Sequence, residues 1–272
     1  MKELVVISGT GGTGKTSIVS AFAALAGGAV LPDCDVYAAD LHMDLHPEQG
    51  WDHELSRRRR AIIDPEACTA CGRCAEVCQY NAIAALPNTV LVFPEICHGC
   101  GSCALNCPTG AVREVPQIIG SLERGWAGQL EFAQGTMDVG QALPVPIIRQ
   151  LKHWMSTDHL GRCDQVCRPV ILDAPPGTAC PVVATMSGTD AVLLVTEPTP
   201  FGLHDLRLAV QVARDELGLP VGVVVNRDGI GDAGVDEYCT AEEIPVLMRI
   251  PLDRRIAEAI SEGQALVEAL PE

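Results

Sequence analysis

The sequence is short of basic residues and contains no long apolar run. Lysine and arginine number 19 against 35 acidic residues, which gives a formal net charge of -16. This charge argues against binding a nucleic acid by neutralising its phosphates, and no apolar stretch approaches the length that spans a bilayer. The first residues lack a basic region followed by an apolar segment and a cleavage site. We therefore expect a cytoplasmic, reducing setting, with neither nucleic acid nor membrane as a partner.

Aromatic residues are also scarce, at 4% of the chain, whereas apolar residues together make up 47%. A core of Val, Ile, Leu and Ala with few aromatic rings is typical of a buried parallel sheet. The length of 272 residues fits one large α/β domain with a small insertion.

Cysteine, in contrast, is abundant, and eight of the 13 cysteines form two runs with the same spacing, C-x2-C-x2-C-x3-C. This is the spacing of bacterial ferredoxins, in which three cysteines of one run and the last cysteine of the other hold each [4Fe-4S] cluster. The pattern predicts a first cluster on Cys68, Cys71, Cys74 and Cys107, and a second on Cys97, Cys100, Cys103 and Cys78.

Two other uses of these cysteines fit less well. Zinc ribbons use pairs of C-x2-C, not triplets with a fourth cysteine after three more residues. A disulfide framework needs an oxidising compartment, which the N-terminal sequence does not indicate. The repeat therefore predicts a small inserted α+β ferredoxin-like domain at residues 61–114, within a larger domain formed by residues 1–60 and 115–272.

Four consecutive arginines, at positions 57–60, precede the insertion and are the exception to the acidic balance. A solvated hinge leading into the insertion and a docking patch for an acidic redox partner both remain open for this run.

A phosphate-binding loop is present near the start of the chain. A short β-branched run at residues 4–7 leads into Gly-Thr-Gly-Gly-Thr-Gly-Lys-Thr at 9–16, which is G-x4-G-K-T in its strand-loop-helix context. In such a loop the backbone N–H groups surround the phosphates at a helix N-terminus. Lys15 would contact the phosphate oxygens, and the Thr16 hydroxyl would bind Mg2+. We expect ATP or ADP to be held by Gly11, Gly12, Thr13, Gly14, Lys15, Thr16 and Ser17.

Acidic residues at strand ends complete the predicted nucleotide site. A buried strand ends in Asp173, where an acid is placed to hold the Mg2+ shell, and the following turn reaches Gly177. We expect the Gly177 N–H to be free to meet a γ-phosphate and to sense its loss. Asp35 and Asp40 follow a predicted second strand at residues 28–31 and could orient the attacking water. A helix cap or a solvated loop acid is the alternative for each.

Apolar runs alternate with helical segments through the C-terminal half. Predicted strands lie at residues 170–172, 191–196, 221–226 and 246–250. This alternation predicts a doubly wound, mostly parallel α/β sheet. Glycine-punctuated runs at residues 120–140 favour hairpins.

Together these features resemble the MinD/ParA/Mrp class of P-loop ATPases, and more narrowly the branch that carries an inserted ferredoxin domain. The resemblance rests on Asp33-Cys34-Asp35, Asp40-Leu41-His42, the stretch DAPPGT at 173–178 and the stretch TEPTPFGLHD at 196–205, and it covers essentially the whole chain. It implies an ATP-hydrolysing dimer with two nucleotides near the interface. It also implies that Asn226 and Arg227 recognise adenine; a turn-capping role is the alternative for Asn226.

The chain departs from this class at one position of the loop. The class usually has Lys-Gly-Gly-x-Gly-Lys-Thr, whose first lysine reaches the partner's phosphates, whereas this chain has Thr10 there. Hydrolysis by a homodimer would lose the electrostatic help of that cation. The resemblance therefore implies either a slow homodimer or a heterodimer with a paralogue that keeps the lysine.

Further cysteines lie outside the repeat. Cys180 comes seven residues after Asp173, where the related nitrogenase iron protein has a ligand of its subunit-bridging cluster, and Cys163 and Cys167 form C-x3-C. A third metal site at Cys180 or at Cys163 and Cys167 is one interpretation. Buried free cysteines are the other.

Two functions remain open from the sequence. One is an ATPase that assembles metalloclusters or delivers them to an apo-metalloprotein. The other is ATP-gated, low-potential electron transfer to a redox partner. A positioning ATPase is a weaker alternative, because an acidic chain lacks the surface to bind membrane or DNA.

Overall fold

The computed structural model of the chain describes residues 2–47, 51–159, 168–262 and 266–269. These residues form two compact units, each with its own apolar core. The first unit contains Met1–Glu54, Leu122–Thr136 and Ile148–Glu272, and the second contains Leu55–Ser121 and Met137–Ile147. The domain limits at residues 61 and 114 stay a prediction.

Most strands of the described chain belong to one sheet. The strands are β1 (Glu3–Ser8), β2 (Val30–Asp33), β3 (Asp52–Ile63), β4 (Ile83–Leu86), β5 (Thr89–Val92), β6 (Val112–Ala127), β7 (Leu130–Met137), β8 (Val170–Asp173), β9 (Ala191–Thr196), β10 (Val221–Asp228) and β11 (Val246–Pro251). The sheet order is β11-β10-β9-β1-β8-β2-β7-β6-β3. Every pairing from β11 to β7 is parallel, which confirms the predicted mostly parallel sheet. Residues 128 and 129 alone join the neighbouring strands β6 and β7, which confirms a hairpin in this region.

The helices of the described chain are α1 (Lys15–Ala26), α2 (Leu41–Leu45), α3 (Arg73–Glu76), α4 (Ser102–Leu105), α5 (Val145–His159), α6 (Cys180–Met186), α7 (Pro200–Val210), α8 (Gly234–Ala241), α9 (Arg254–Ser261) and α10 (Leu266–Ala269). Of these, α1, α5, α6, α7 and α8 lie on connections between strands of the parallel part of the sheet. The core of the first unit is aliphatic apart from Phe132 and includes Val6, Leu31, Ile171 and Val224, all at most 5% exposed. None of the described helices is both long and apolar enough to cross a membrane.

The second strand begins two residues later than the sequence predicts. Gly27 and Gly28 both have positive φ, 57° and 127°, so they form the turn that ends α1. Glycine adopts this left-handed conformation without the steric cost that other residues meet. As a result β2 ends at Asp33, which brings that carboxylate to the carboxyl edge of the sheet.

The second unit repeats one local structure for the two cysteine runs. Gly72 and Gly101 follow the second cysteine of each run, both with positive φ, and α3 and α4 start directly after them. Strands β4 and β5 pair in an antiparallel hairpin, with Ile83 opposite Val92. The core of this unit combines Ile83 and other small apolar side chains with three of the repeat cysteines.

The arginine run does not form a solvated hinge. It lies within β3, where successive side chains point to opposite faces. Arg57 and Arg59 are exposed, whereas Arg58 is only 6% exposed. The hinge interpretation was therefore wrong, because the run continues a strand in which one arginine is buried, whereas a docking patch for an acidic redox partner stays a prediction.

Candidate functional site

The predicted nucleotide-binding residues of the loop lie between β1 and α1 or on the first turn of α1; they are Gly11, Gly12, Thr13, Gly14, Lys15, Thr16 and Ser17. The hydroxyls of Ser8 and Thr13 donate to the Thr10 carbonyl at 2.8 and 3.5 Å, which supports the shape of the loop. The loop leads directly into the N-terminus of α1, where backbone N–H groups and the helix dipole favour an anion.

Three polar side chains meet where β8 ends. The Lys15 ammonium forms a buried ion pair with one carboxylate oxygen of Asp173. The Thr16 hydroxyl donates to the other Asp173 oxygen at 2.9 Å, and Lys15 Nζ lies 3.5 Å from Thr16 Oγ1. A hydroxyl and a carboxylate are oxygen ligands that suit Mg2+, and an ammonium suits a phosphate. These side chains therefore fit a magnesium nucleotide.

A second buried carboxylate, Asp33, lies beside Asp173. Strands β2 and β8 pair in parallel with these two residues opposite each other, and both are fully buried. Burial raises the pKa of Asp33 well above its ordinary value, and the charge of Asp173 raises it further. Asp33 accepts hydrogen bonds from the N–H groups of Asp35 at 3.0 Å and Leu41 at 3.2 Å. It therefore holds the segment between β2 and α2 against the sheet.

Asp33 was not among the predicted site residues. The sequence signal for it is its place as the first acid of Asp-Cys-Asp, directly after an apolar run. Because β2 extends to Asp33, this residue turns inward at the strand end, whereas Asp35 follows in the loop.

Asp35 and Asp40 lie near the same cation. Asp35 is half-buried; burial raises its pKa, and the charge of Lys15 lowers it. Asp40 is exposed and immediately precedes α2, and its charge raises the pKa of Asp35. The structure thus brings both acids within electrostatic reach of the Lys15 site. Orientation of the attacking water stays a prediction for both.

Asn226 and Arg227, near the end of β10, contact the phosphate-binding loop. The Asn226 amide donates to the Thr13 carbonyl at 2.7 Å, and its oxygen accepts from the Arg227 N–H at 2.9 Å. The Arg227 guanidinium donates to the Gly12 carbonyl at 3.0 Å and pairs with Glu197 at 2.6 Å. These bonds tie β10 to the loop, a contact that the sequence did not predict. Adenine recognition stays a prediction.

The Gly177 N–H is not free. It donates to the Ser8 carbonyl at the end of β1, at 2.8 Å. The expectation of an unbonded N–H was therefore wrong, because the turn after β8 packs back onto the neighbouring strand. Contact between this N–H and a γ-phosphate would require the bond to Ser8 to open.

Two cavities in the second unit gather the repeat cysteines in two sets of four. The first cluster cavity is lined by Cys68, Cys71, Cys74 and Cys107, and the second cluster cavity by Cys97, Cys100, Cys103 and Cys78. Each cavity takes three cysteines from one run and the last from the other, as the spacing predicts. In the described part of the chain no three Cys, His, Asp or Glu side chains close around a single ion. Four sulfurs spread around a cavity suit a cubane better than one ion.

Hydrogen-bond donors lie next to the sulfur atoms. The Ala82 N–H donates to Cys78 Sγ at 3.3 Å, and the Thr109 hydroxyl lies 3.7 Å from Cys107 Sγ. Partial burial raises the pKa of the Cys107 thiol, but N–H groups, with that of Val112 foremost, and the Thr109 hydroxyl lower it, to about 7. Cluster ligands are thiolates, and donors of this kind stabilise negative sulfur. The residues of both cavities therefore fit iron–sulfur clusters.

The cysteines outside the repeat do not form a third site within the described chain. Cys180 is the first residue of α6 and is exposed. Cys163 and Cys167 lie outside the described residues. A third metal site stays a prediction.

We predict about eight irons and eight sulfides per chain after anaerobic reconstitution, because each cavity offers four thiolates to one cubane. Cys107→Ser should damage the first cluster and Cys78→Ser the second, although each cysteine belongs to the other run. Iron and sulfide analysis, with electron paramagnetic resonance after reduction, measures both effects. One zinc without sulfide, or loss of the opposite cluster in these variants, would contradict the prediction.

Comparison with known proteins agrees with this description. The family model of the 4Fe-4S binding domain matches residues 61–84 and 90–113. The uncharacterized protein MJ0578 of Methanocaldococcus jannaschii is 34% identical over 213 residues, which is 76% of this chain and 71% of that protein. The cytosolic Fe-S cluster assembly factor Nubp2 homolog of Anopheles gambiae is 27% identical over 121 residues, 38% of this chain and 46% of that protein.

The fold is also found among solved structures. The septum site-determining protein MinD of Pyrococcus horikoshii OT3, complexed with Mg-ADP, superposes with a TM-score of 0.56 at 17% identity, over 100% of this chain and 89% of that one. The predicted fold, a P-loop sheet of MinD and ParA type with an inserted 4Fe-4S region, is thereby confirmed. The chain spans between 34% and 71% of the length of the first curated relatives it matches.

Proposed function

Since the chain belongs to the family of the M. jannaschii protein MJ0578 and has the P-loop fold of MinD and ParA with an inserted 4Fe-4S binding region, we propose that it is a MinD/ParA/Mrp-type ATPase that couples ATP hydrolysis to metallocluster assembly or delivery. One observation carries this proposal. A single chain holds both the Lys15, Thr16 and Asp173 constellation and two cavities of four cysteines. Similarity to the Nubp2 homolog, whose name describes Fe-S cluster assembly, supports the assembly role.

Each polar group of the nucleotide site has a part in this proposal. Lys15 and the loop amides bind the phosphates, while Thr16 and Asp173 hold Mg2+. Asp35 orients the attacking water, with Asp40 beside it. When the nucleotide binds, Lys15 would exchange the Asp173 carboxylate for phosphate oxygens, and Asp173 would then be free, with Thr16, to hold the Mg2+ that accompanies the nucleotide. Binding thereby changes the ion pair that joins α1 to β8.

We further propose that the active form is a dimer. Thr10 leaves the loop without the cation that the class supplies to its partner, so a paralogue with lysine at that position is the favoured partner for fast hydrolysis. The recipient of the assembled metallocluster, which is distinct from the two clusters of the insert, is an apo-metalloprotein.

Electron transfer is the second candidate, and one observation favours it. All eight repeat cysteines line the two cavities of the insert, so both clusters have complete sets of ligands there. Clusters held in this way are resident redox groups and not cargo. They could serve a reductive step of assembly, or they could pass electrons to a redox partner in an ATP-gated reaction.

One experiment separates these functions. We predict that MgATP accelerates the appearance of a cluster or metal in a purified apo-acceptor, while ATP turnover continues whether the resident clusters are reduced or oxidised. The acceptor's iron content and the phosphate released are followed together under anaerobic conditions. A Lys15→Ala control should transfer at the rate seen without ATP. Turnover that occurs only with electron delivery, without any metal transfer, would favour the second candidate and contradict the first.

A further inference from the structure

A buried guanidinium lies beside the loop of the second cluster cavity. Arg58 is 6% exposed, although it stands in the middle of four arginines. It donates to the carbonyl of Cys97, and also to the carbonyl of Pro94 at 2.5 Å. Cys97 is itself buried and lines the second cluster cavity. The arginine thus fixes the backbone at the first ligand of that cavity.

The charge of Arg58 has no carboxylate partner within 4 Å in the described part of the chain. Both of its hydrogen bonds are to neutral carbonyls, and its Nε atom is buried without a hydrogen-bond partner. Burial lowers the pKa of Arg58, and negative charge at Cys97 and then Glu95 raises it. A buried charge is costly unless an opposite charge compensates it. A cluster held by four thiolates supplies that negative charge.

Among the described residues that line the first cluster cavity there is no buried cation. Its lining includes Arg73, but that side chain is 55% exposed and pairs with Glu76 at 3.0 Å. An exposed, paired charge is screened by solvent and acts weakly on its surroundings. The second cavity also contains an acid, Glu114, which lies 3.8 Å from the exposed Arg59. Glu114 therefore carries an opposing charge, but Arg58, at 6% exposed against 18% for the Glu114 side chain, is the more deeply buried of the two and is screened less by solvent.

We infer that Arg58 raises the reduction potential of the second cluster above that of the first, so that an electron entering the insert comes to rest on the second cluster. This inference rests on the two resident clusters of the proposed function. The potential of an iron–sulfur cluster depends on nearby charge, hydrogen bonds and exposure. A fixed positive charge favours the reduced, more negative cluster. The step is the uptake of one electron from a low-potential one-electron donor, with no bond broken and no proton moved.

The direct test removes the charge. In the reconstituted full chain, Arg58→Gln should shift the electron distribution between the clusters about tenfold toward the first, which is about 59 mV for one electron. The exposed neighbour on the other face of β3 provides the control, since Arg57→Gln removes the same charge and should shift neither cluster. Arg58→Lys keeps the charge and should stay near the wild type. Potentials are read from a dithionite titration followed by electron paramagnetic resonance. No shift in Arg58→Gln, or an equal shift in Arg57→Gln, overturns the inference.

A second test leaves Arg58 in place and determines which cluster has the higher reduction potential, even if Arg58→Gln does not assemble. Cys71 and Cys100 occupy equivalent, exposed positions in the two runs. Cys100→Ser should move or abolish the step at higher potential, and Cys71→Ser should leave that step unchanged. The reverse pattern overturns the inference. A chain that lacks two clusters by iron analysis contradicts the proposed function, whereas two clusters with the opposite order of potentials contradict this inference alone.

Discussion

Thr10→Lys is expected to raise steady-state ATP turnover by a large factor, with about 10^3 to 10^5 as the upper range known for a cation supplied across an interface. The reason is electrostatic. Lys15 and the loop amides suffice to bind MgATP in the ground state, but the charge that grows on the γ-phosphoryl group needs a second cation. A lysine at a partly exposed interface should contribute less than an arginine finger. Turnover of variant and wild type is compared at matched dimer concentration.

The backbone around Thr10 allows this substitution to be interpreted. Its carbonyl, not its side chain, accepts the bonds from Ser8 and Thr13 that support the loop. A change of side chain therefore leaves these bonds available. Thr10→Met matches lysine in length without its charge and should remain as slow as the wild type. A fast wild-type homodimer, or a lysine variant that is no faster, would show that the second cation comes from elsewhere.

The parts of the site that depend on local spacing could be predicted from the sequence. The phosphate-binding loop is a contiguous motif, and its strand-loop-helix context follows from a β-branched run before it and an alanine-rich run after it. The spacing of the cysteine repeat predicts that the last cysteine of each run joins the first three of the other run, and the two cavities contain these sets of four. The position of Asp173 at the carboxyl end of a strand could be predicted because it directly follows an apolar run.

The parts that depend on which strands become neighbours could not be predicted. Nothing local pairs Asp33 with Asp173, since their contact arises from the order of β2 and β8 in the sheet. The bond from Gly177 to Ser8 likewise joins segments far apart in sequence. Arg58 is the strongest example. Four identical residues carry no polarity pattern, so only the strand and its packing decide which side chain is buried.

The pairing of β2 with β8 creates an electrostatic problem that Lys15 resolves. Asp33 and Asp173 are fully buried side by side, and the Lys15 ammonium is 7% exposed beside them. Burial raises the pKa of both carboxyl groups, and the charge of Lys15 lowers each. Lys15 therefore has two separate effects, one on the stability of the sheet edge and one on the nucleotide.

Lys15→Ala should abolish tight ATP binding. Loss of a charge-assisted contact of about 3 kcal/mol corresponds to a more than hundredfold weaker affinity. The variant should also lose stability of about 3 kcal/mol, since removing one partner of a buried pair leaves the other charge uncompensated. Where a carboxyl group has a higher pKa in the folded protein than in the unfolded chain, the protein loses stability as the pH rises through the folded pKa. The deficit relative to wild type should therefore be smaller at pH 5 than at pH 8. Equilibrium dialysis with ATP and thermal unfolding measure the two effects.

Asp173→Asn in the Lys15→Ala background separates these effects. Asparagine removes the buried charge that Lys15 compensated, so the double variant should recover most of the lost stability. Its remaining stability deficit relative to wild type should also depend less on pH, because asparagine does not titrate. It should not recover ATP binding, because neither the phosphate cation nor the carboxylate for Mg2+ is present. A double variant as unstable as Lys15→Ala would show that the uncompensated carboxylate is not the cause of the instability. ATP affinity of Lys15→Ala equal to that of the wild type would remove Lys15 from the phosphate site, whatever its effect on folding.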